Sequence, residues 1–97
     1  MTLHFGDGVE AYLQRHGGAL TIRSSPRHGC CGGTVAVAVA EAGPPRDAVA
    51  YEVEEREGVR VYLERELRDA VDGPVRIDLE GFGPWRRLWV SGIEPRM

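Results

Sequence analysis

The sequence predicts an α+β fold, with about six mainly antiparallel strands and two short helices in a single compact, β-rich domain over residues 1–97. Three observations lead to this prediction. Short apolar segments alternate with polar residues along most of the chain, and turns rich in glycine or proline separate them. Only two stretches repeat their apolar residues at helical spacing. A chain of 97 residues has room for one small hydrophobic core.

The first predicted helix follows Asp7, which together with Glu10 forms the pattern of a capping box. Val9 and Leu13 then recur at helical spacing, and the Gly17-Gly18 pair ends the helix. The second predicted helix presents Leu63 and Leu67 on one face and charged residues on the other. The sequence Asp-Gly-Pro at 72–74 closes it.

Alternating or β-branched apolar runs predict the strands. They cover residues 19–23, 34–40, 48–54, 59–62, 75–80 and 85–90. A loop rich in serine, proline and glycine is expected between the first two, over residues 24–33. Short connections favour antiparallel pairing between the strands that follow one another along the chain.

Two further surface features have competing interpretations. Trp85 and Trp89 flank two arginines, and we expect at least one of these tryptophans to complete the core. If Trp85 is exposed instead, partner binding becomes the better interpretation, because Trp and Arg dominate the energetics of protein interfaces. The acidic residues between Glu52 and Glu57 are expected on a solvated strand edge, where charge discourages pairing between edges.

Composition excludes several classes of function. The net charge of −3 argues against a general nucleic-acid-binding protein, which needs a basic face. The N-terminus shows no secretory signal, and the longest apolar run, residues 35–40, is much shorter than the roughly 20 residues that span a membrane. We therefore expect a cytoplasmic protein, in a compartment where thiols are catalytic, redox-sensing or metal-binding rather than structural.

The chemistry of the chain is expected at its only two cysteines, Cys30 and Cys31, within the sequence His-Gly-Cys-Cys-Gly-Gly at 28–33. A reactive thiol needs a lowered pKa and access, and His28, together with Arg27, is placed in sequence to stabilise a thiolate. Three glycines would allow backbone amides to approach a ligand, and they are Gly29, Gly32 and Gly33.

Two uses of these thiols remain open. Adjacent cysteines can form a strained vicinal disulfide, so that one attacks a substrate and the other resolves the intermediate. Alternatively, Cys30 and Cys31 bind a soft metal ion or an iron–sulfur cluster. A zinc site or a cluster needs four ligands, and one chain offers two thiols and three histidines, His4, His16 and His28. Because adjacent residues tend to point in different directions, both cysteines do not readily reach one ion, and a single chain is short of ligands. A metal site is therefore expected to be shared between the subunits of a homodimer.

The order of these motifs resembles the HesB/IscA family of A-type iron–sulfur carriers. The resemblance covers a helix at 8–15, a strand at 20–23, the Gly-Cys-x-Gly segment at 29–32 and the strand at 35–40. It continues through the Gly-Val-Arg-Val segment at 58–61 and the Val-Asp-Gly turn at 71–73. It implies a compact fold with few helices, and iron–sulfur assembly proteins as partners.

The chain departs from the carrier pattern at two places. Carriers keep three cysteines, of which Cys30 matches the first; the Cys-x-Cys pair near their C-terminus has no counterpart in residues 91–97. Cys31 is an additional thiol, and the doublet is similar to a HesB-like branch with a Cys-Cys motif, in which selenocysteine can replace one cysteine. That resemblance implies thiol or selenol redox chemistry, with a thiol reductant as partner. It does not assign an enzyme class.

Overall fold

The computed structural model describes residues 2–28 and 34–93. Within them lie seven strands and one α-helix, together with 3₁₀ helices at Ala48–Ala50, Arg65–Ala70 and Gly83–Trp85. The elements are β1 (Leu3–Phe5), α1 (Val9–Arg15), β2 (Ala19–His28), β3 (Thr34–Ala42), β4 (Tyr51–Arg56), β5 (Val59–Glu64), β6 (Val71–Glu80) and β7 (Arg87–Ile93).

The described strands form two sheets. One has the order β1-β6-β7, and the other has the order β3-β2-β5-β4. Three of the ladders are antiparallel, β2 with β3, β4 with β5 and β6 with β7, whereas β1 with β6 and β2 with β5 are parallel. The predicted α+β fold with mainly antiparallel strands and two helices is confirmed, the second helix being the 3₁₀ helix Arg65–Ala70.

The core fills the space between the two sheets and one face of α1. Val9 and Leu13 of the helix are fully buried. The remaining core residues come mainly from alternate positions of β2, β5 and β6, which bring one face of each strand inward. They are Leu20, Ile22, Val59, Val61, Leu63, Leu67, Val75, Ile77 and Ile93.

Local details correct several predictions. The residue that caps α1 is Gly8, in a left-handed conformation with φ 79°, and no side chain caps the helix, so the expected capping box at Asp7 and Glu10 does not form. The strand expected over 19–23 continues to His28, where a loop was predicted, because β3 pairs with it along the whole length. The strand β1 was not predicted, because three residues are too few to establish alternation.

The tryptophans are on the surface. Trp85 is 76% exposed and Trp89 is 48% exposed, so the expectation that one of them completes the core is wrong. Leu88 and Val90 take the inward positions of β7, and strand alternation sends Trp89 to the opposite face. The acidic strand β4 lies at a sheet edge as expected.

Candidate functional site

The five residues that contain the thiols connect the last paired residues of β2 and β3. The ladder between these strands runs from Leu20 opposite Ala42 to His28 opposite Thr34. Gly29, Cys30, Cys31, Gly32 and Gly33 lie outside the described residues, so their predicted roles remain predictions. The backbone of His28 is the last described position before them.

The outer part of this hairpin extends beyond the rest of its sheet. β2 pairs with β5 only from Ala19 to Ile22, so its remaining residues pair with β3 alone. Backbone parity explains how Pro26 is accommodated there. The Gly43 amide donates a hydrogen bond to the carbonyl oxygen of Ala19, so the odd-numbered residues of β2 make the backbone hydrogen bonds to β3. Pro26 has an even number, so its backbone nitrogen, which carries no hydrogen, points away from β3.

Two polar contacts anchor the base of the hairpin. The amide and the hydroxyl of Ser24 both donate to Glu64 Oε1, at 3.1 and 2.6 Å, where the β2–β5 ladder has ended. On the other side, Arg23 donates to the carboxylate of Glu41 on β3. This hydrogen bond is the main reason that the pKa of Arg23 lies above its usual value. The segment that leads to the thiols is therefore held on both neighbouring strands.

The remaining histidines lie away from any described cluster of ligands. His16 ends α1, and its ring lies 4.3 Å from the ring of Tyr12, which gives it a structural role. His4 lies exposed on β1. Among the side chains that the structure describes, no three from histidine, cysteine or acidic residues come together as a metal site.

A second polar region lies where the chain crosses from β3 to β4. These strands are opposite edges of one sheet, and the intervening residues pass over it, with Gly43 accepting a 2.7 Å hydrogen bond from the buried Thr21 hydroxyl. Tyr51 follows this crossing. Burial and, next, the negative charge of Glu64 raise the pKa of the Tyr51 phenol above 10.0.

Sequence reasoning missed a groove between β3 and β7. Its volume is about 690 Å³, and it runs between residues 37–41 and 87–90. The signal was present in β3, where alanine occupies three successive inward positions, 38, 40 and 42. Small side chains on one face of an edge strand leave space that larger residues would fill.

In the part of the chain that the structure describes, no helix is long and apolar enough to cross a membrane.

A family model described as "CC/Se motif containing family" matches residues 1–93. No curated protein sequence matches the chain.

Solved structures that share the fold include two whose descriptions name iron–sulfur clusters. One is the crystal structure of Escherichia coli SufA, involved in biosynthesis of iron-sulfur clusters, with a TM-score of 0.56 at 10% identity, covering 94% of this chain and 80% of that one. The other is the crystal structure of IscA with the [2Fe-2S] cluster, with a TM-score of 0.56 at 15% identity, covering 94% of this chain and 85% of that one. The predicted likeness to the IscA fold is confirmed.

Proposed function

The chain belongs to the CC/Se motif containing family, and on that premise we propose that Cys30 and Cys31 act together as a redox-active dithiol. The observation that supports this most directly is that the family is described by a Cys-Cys motif and that the chain has one such pair and no other cysteine. Thiol chemistry at this site also suits a cytoplasmic protein, in which the dithiol is the resting state.

The reaction is a thiol–disulfide exchange in two steps. One cysteine thiolate attacks a disulfide of the substrate, forming a mixed disulfide and releasing the first substrate thiolate. The second cysteine thiolate then attacks the Sγ atom of the first cysteine, which forms the Cys30–Cys31 bond and releases the second substrate thiolate. Two electrons pass to the substrate, and the two protons lost by the cysteines end on the released thiols. A thiol reductant returns the vicinal disulfide to the dithiol.

The surrounding sequence favours the thiolate form. His28 and Arg27 precede Cys30 by two and three positions, and positive charge near a thiol lowers its pKa. Gly29, Gly32 and Gly33 give the backbone access to conformations that point amide groups at a negatively charged sulfur. The anchored hairpin of β2 and β3 presents both ends of this segment.

Intact mass measurement tests the proposal. The reduced protein, incubated with excess oxidised glutathione and then alkylated, is expected to lose two hydrogens and to accept no alkyl group. Cys30→Ser and Cys31→Ser should each stop at a mixed disulfide with glutathione. Thr34→Ser serves as the matched control, since it conserves the hydroxyl next to the segment. A wild-type protein that stops at the mixed disulfide would overturn the proposal.

A second candidate, binding of an iron–sulfur cluster as cargo, is favoured by the fold alone. IscA, with which the chain shares its fold, has been crystallised with a [2Fe-2S] cluster. One chain cannot ligate such a cluster by itself, because its two cysteines supply half of the four thiolate ligands that the cluster requires. Two chains that bring their Cys30–Cys31 segments together would supply all four. The same two chains, joined at their Cys30–Cys31 segments, would also supply the ligands for a soft metal ion.

Anaerobic analysis separates this candidate from the first. A cluster shared by two chains requires iron and acid-labile sulfide in equal amounts, visible absorption and a dimer. All three should disappear in Cys30→Ser. Colourless, monomeric protein after anaerobic reconstitution with iron and sulfide would exclude it and leave the dithiol proposal standing. Partners of the iron–sulfur assembly class belong to this candidate only.

A further inference from the structure

The groove between β3 and β7 runs along the hairpin that leads to the thiols. One side of it includes the outer face of β2 and β3, on which the odd-numbered residues of both strands lie. Ser25, Val37 and Val39 line it there and are partly buried. Residues 87–90 of β7 form the opposite side.

The dimensions of the groove suit a small molecule rather than a further strand. Cα atoms of β3 and β7 lie within 8 Å of one another. A strand inserted between two others needs about 9.6 Å, which is twice the usual spacing. The volume of the groove, about 690 Å³, falls within the range of small-molecule sites, which is about 300–1,000 Å³.

The charged residues beside the groove have partners of opposite charge. Arg23 forms an ion pair with Glu41. Arg87 lies opposite Glu80 in the β6–β7 register, which offsets its charge. The Arg87 guanidinium also lies 5.4 Å from the centre of the Trp89 ring. A charged ligand would lose hydration here without gaining a free counter-charge, so the groove favours an uncharged group.

The apolar side chains of the groove are incompletely covered. Trp89 is 48% exposed although it lies beside the groove, and Val37 and Val39 are only partly buried. Apolar surface in a concave place gains free energy when an apolar group covers it. An aromatic ring is well suited to this contact, because ring pairs attract each other beyond the area they bury.

The groove begins close to the end of the thiol hairpin. Ser25 pairs with Val37, and three further ladder pairs lead to His28 opposite Thr34. At about 3.4 Å per residue, these three pairs cover roughly 10 Å. Cys30 follows His28 by two positions in the sequence. One ring in the groove, joined by a few bonds to a reactive atom, is long enough to reach the thiol segment.

From these observations we infer that the groove is the substrate site of the dithiol, and that the substrate is a small disulfide with an uncharged apolar group the size of one aromatic ring. This inference rests on the proposed function, because that function makes the substrate a disulfide. As the Cys30–Cys31 bond forms, the two electrons given up reduce the substrate disulfide to two thiols, which take the two cysteine protons.

Alkylation rates test the site without requiring redox chemistry. The probes are N-benzyl iodoacetamide and N-hydroxyethyl iodoacetamide, which share one reactive group, and their rates are corrected by their rates with reduced glutathione. Intact mass measurement follows the first alkylation of the reduced protein. We expect the benzyl reagent to react about tenfold faster, because its ring is buried in the groove. A carboxylate on the same ring should remove this advantage.

Variants assign the advantage to the groove. Trp89→Ala and Val39→Ser should each bring the ratio of the two rates close to one. Trp85→Ala and Val53→Ser, which change an exposed tryptophan and an exposed valine outside the groove, are the matched controls and should keep the wild-type ratio. A general loosening of the fold would change both rates together and leave their ratio as it was.

A non-reactive analogue tests binding without the thiols. N-benzylacetamide, added to the double variant Cys30→Ser/Cys31→Ser, should shift backbone amide signals of residues 37–41 and 87–90 in NMR spectra. Equal corrected rates for the two reagents would overturn the inference. So would an advantage that persists in Trp89→Ala or Val39→Ser, or amide shifts confined to other residues.

The inference and the dithiol proposal fail in different ways. If the dithiol proposal alone fails, oxidised glutathione stops at a mixed disulfide, whereas the benzyl advantage and the amide shifts remain and support the groove as a binding site. If the inference alone fails, the protein loses two hydrogens with oxidised glutathione, but both reagents alkylate it at equal corrected rates.

Discussion

Ser24 and Glu64, which are 40 positions apart in the sequence, are joined by two hydrogen bonds to the same carboxylate oxygen. The bonds measure 3.1 Å from the Ser24 amide and 2.6 Å from its hydroxyl. They lie just past the last β2–β5 pair, Ile22 opposite Leu63, and attach the start of the projecting hairpin to the larger sheet. The position of the thiol segment therefore depends on a polar contact as well as on strand pairing.

Loss of this contact should destabilise the fold. Glu64→Ala removes the acceptor of two hydrogen bonds. A hydrogen bond to a charged group contributes about 1.5–3 kcal/mol, but the contact is only partly buried, so water replaces much of the lost acceptor in the variant. We expect the free energy of unfolding to fall by about 1–2 kcal/mol, measured by urea denaturation. Glu66→Ala, at an exposed neighbouring position, is the control and should change it by less than about 0.5 kcal/mol. Equal changes in the free energy of unfolding for Glu64→Ala and Glu66→Ala would show that the contact with Ser24 contributes nothing to stability.

Tyr51 should make the protein sensitive to high pH. Its folded-state pKa lies above 10.0, first because of burial and second because of Glu64. Below pH 10 the phenol is protonated in both the folded and the unfolded state, and its contribution to stability is complete. As pH rises above 10, the Tyr51 phenol ionises first in the unfolded state. The free energy of unfolding therefore decreases until the pH has passed the folded-state pKa.

The loss of stability above pH 10 should be smaller in Tyr51→Phe. Glu64→Gln should lower the pKa of Tyr51 toward 10.0, because it removes a negative charge. Ultraviolet absorbance of tyrosinate measures the titration, and urea denaturation across the same pH range measures stability. Identical pH profiles for the wild type and Tyr51→Phe would contradict the assignment.

Gly92 has a steric requirement that Gly73 lacks. Both have positive φ, 93° and 86°, but a Cβ at Gly92 would collide with the backbone of Pro74, whereas a Cβ at Gly73 meets nothing within 4 Å. Gly92→Ala should therefore destabilise the fold by more than about 2 kcal/mol, and Gly73→Ala by about 1 kcal/mol, from backbone strain alone. Thermal unfolding of the two variants measures which of them is less stable. A larger loss of stability in Gly73→Ala than in Gly92→Ala would refute the prediction.

Substitution of Trp85 should have little effect on stability. With 76% of the residue exposed, Trp85→Ala removes few contacts, and the change should stay within about 0.5 kcal/mol. Leu13→Ala, at a fully buried position of α1, should cost about 2–5 kcal/mol. Urea denaturation measures the free energy of unfolding of both variants. A large loss in Trp85→Ala would restore the original expectation that this residue belongs to the core.

The fold could be predicted from the sequence because its strands alternate clearly. Val75, Ile77 and their polar neighbours in β6 show which face is buried, and the structure confirms it. Pairing partners were harder, since the parallel contact of β2 with β5 joins segments that are far apart in sequence. Alternation within one strand contains no information about which other strand lies beside it.

The extension of β2 beyond Arg23 was missed for a physical reason. Serine, proline and glycine are typical of turns, and Pro26 in particular argues against a central strand. The segment is a strand because β3 continues along it on one side only, so the missing amide of Pro26 costs no ladder bond. The groove was missed as well, because a row of alanines defines a space only once the opposite strand is known.

The central claim is that Cys30 and Cys31 form one two-electron couple. Equilibration of the protein in a series of glutathione redox buffers, followed by rapid alkylation and intact mass measurement, tests it most directly. The account predicts a single transition from the doubly alkylated form to an unalkylated form two hydrogens lighter, fitted by a two-electron couple in a monomer. Alkylation of both thiols under every buffer, or oxidation only to mixed or intermolecular disulfides, would contradict it.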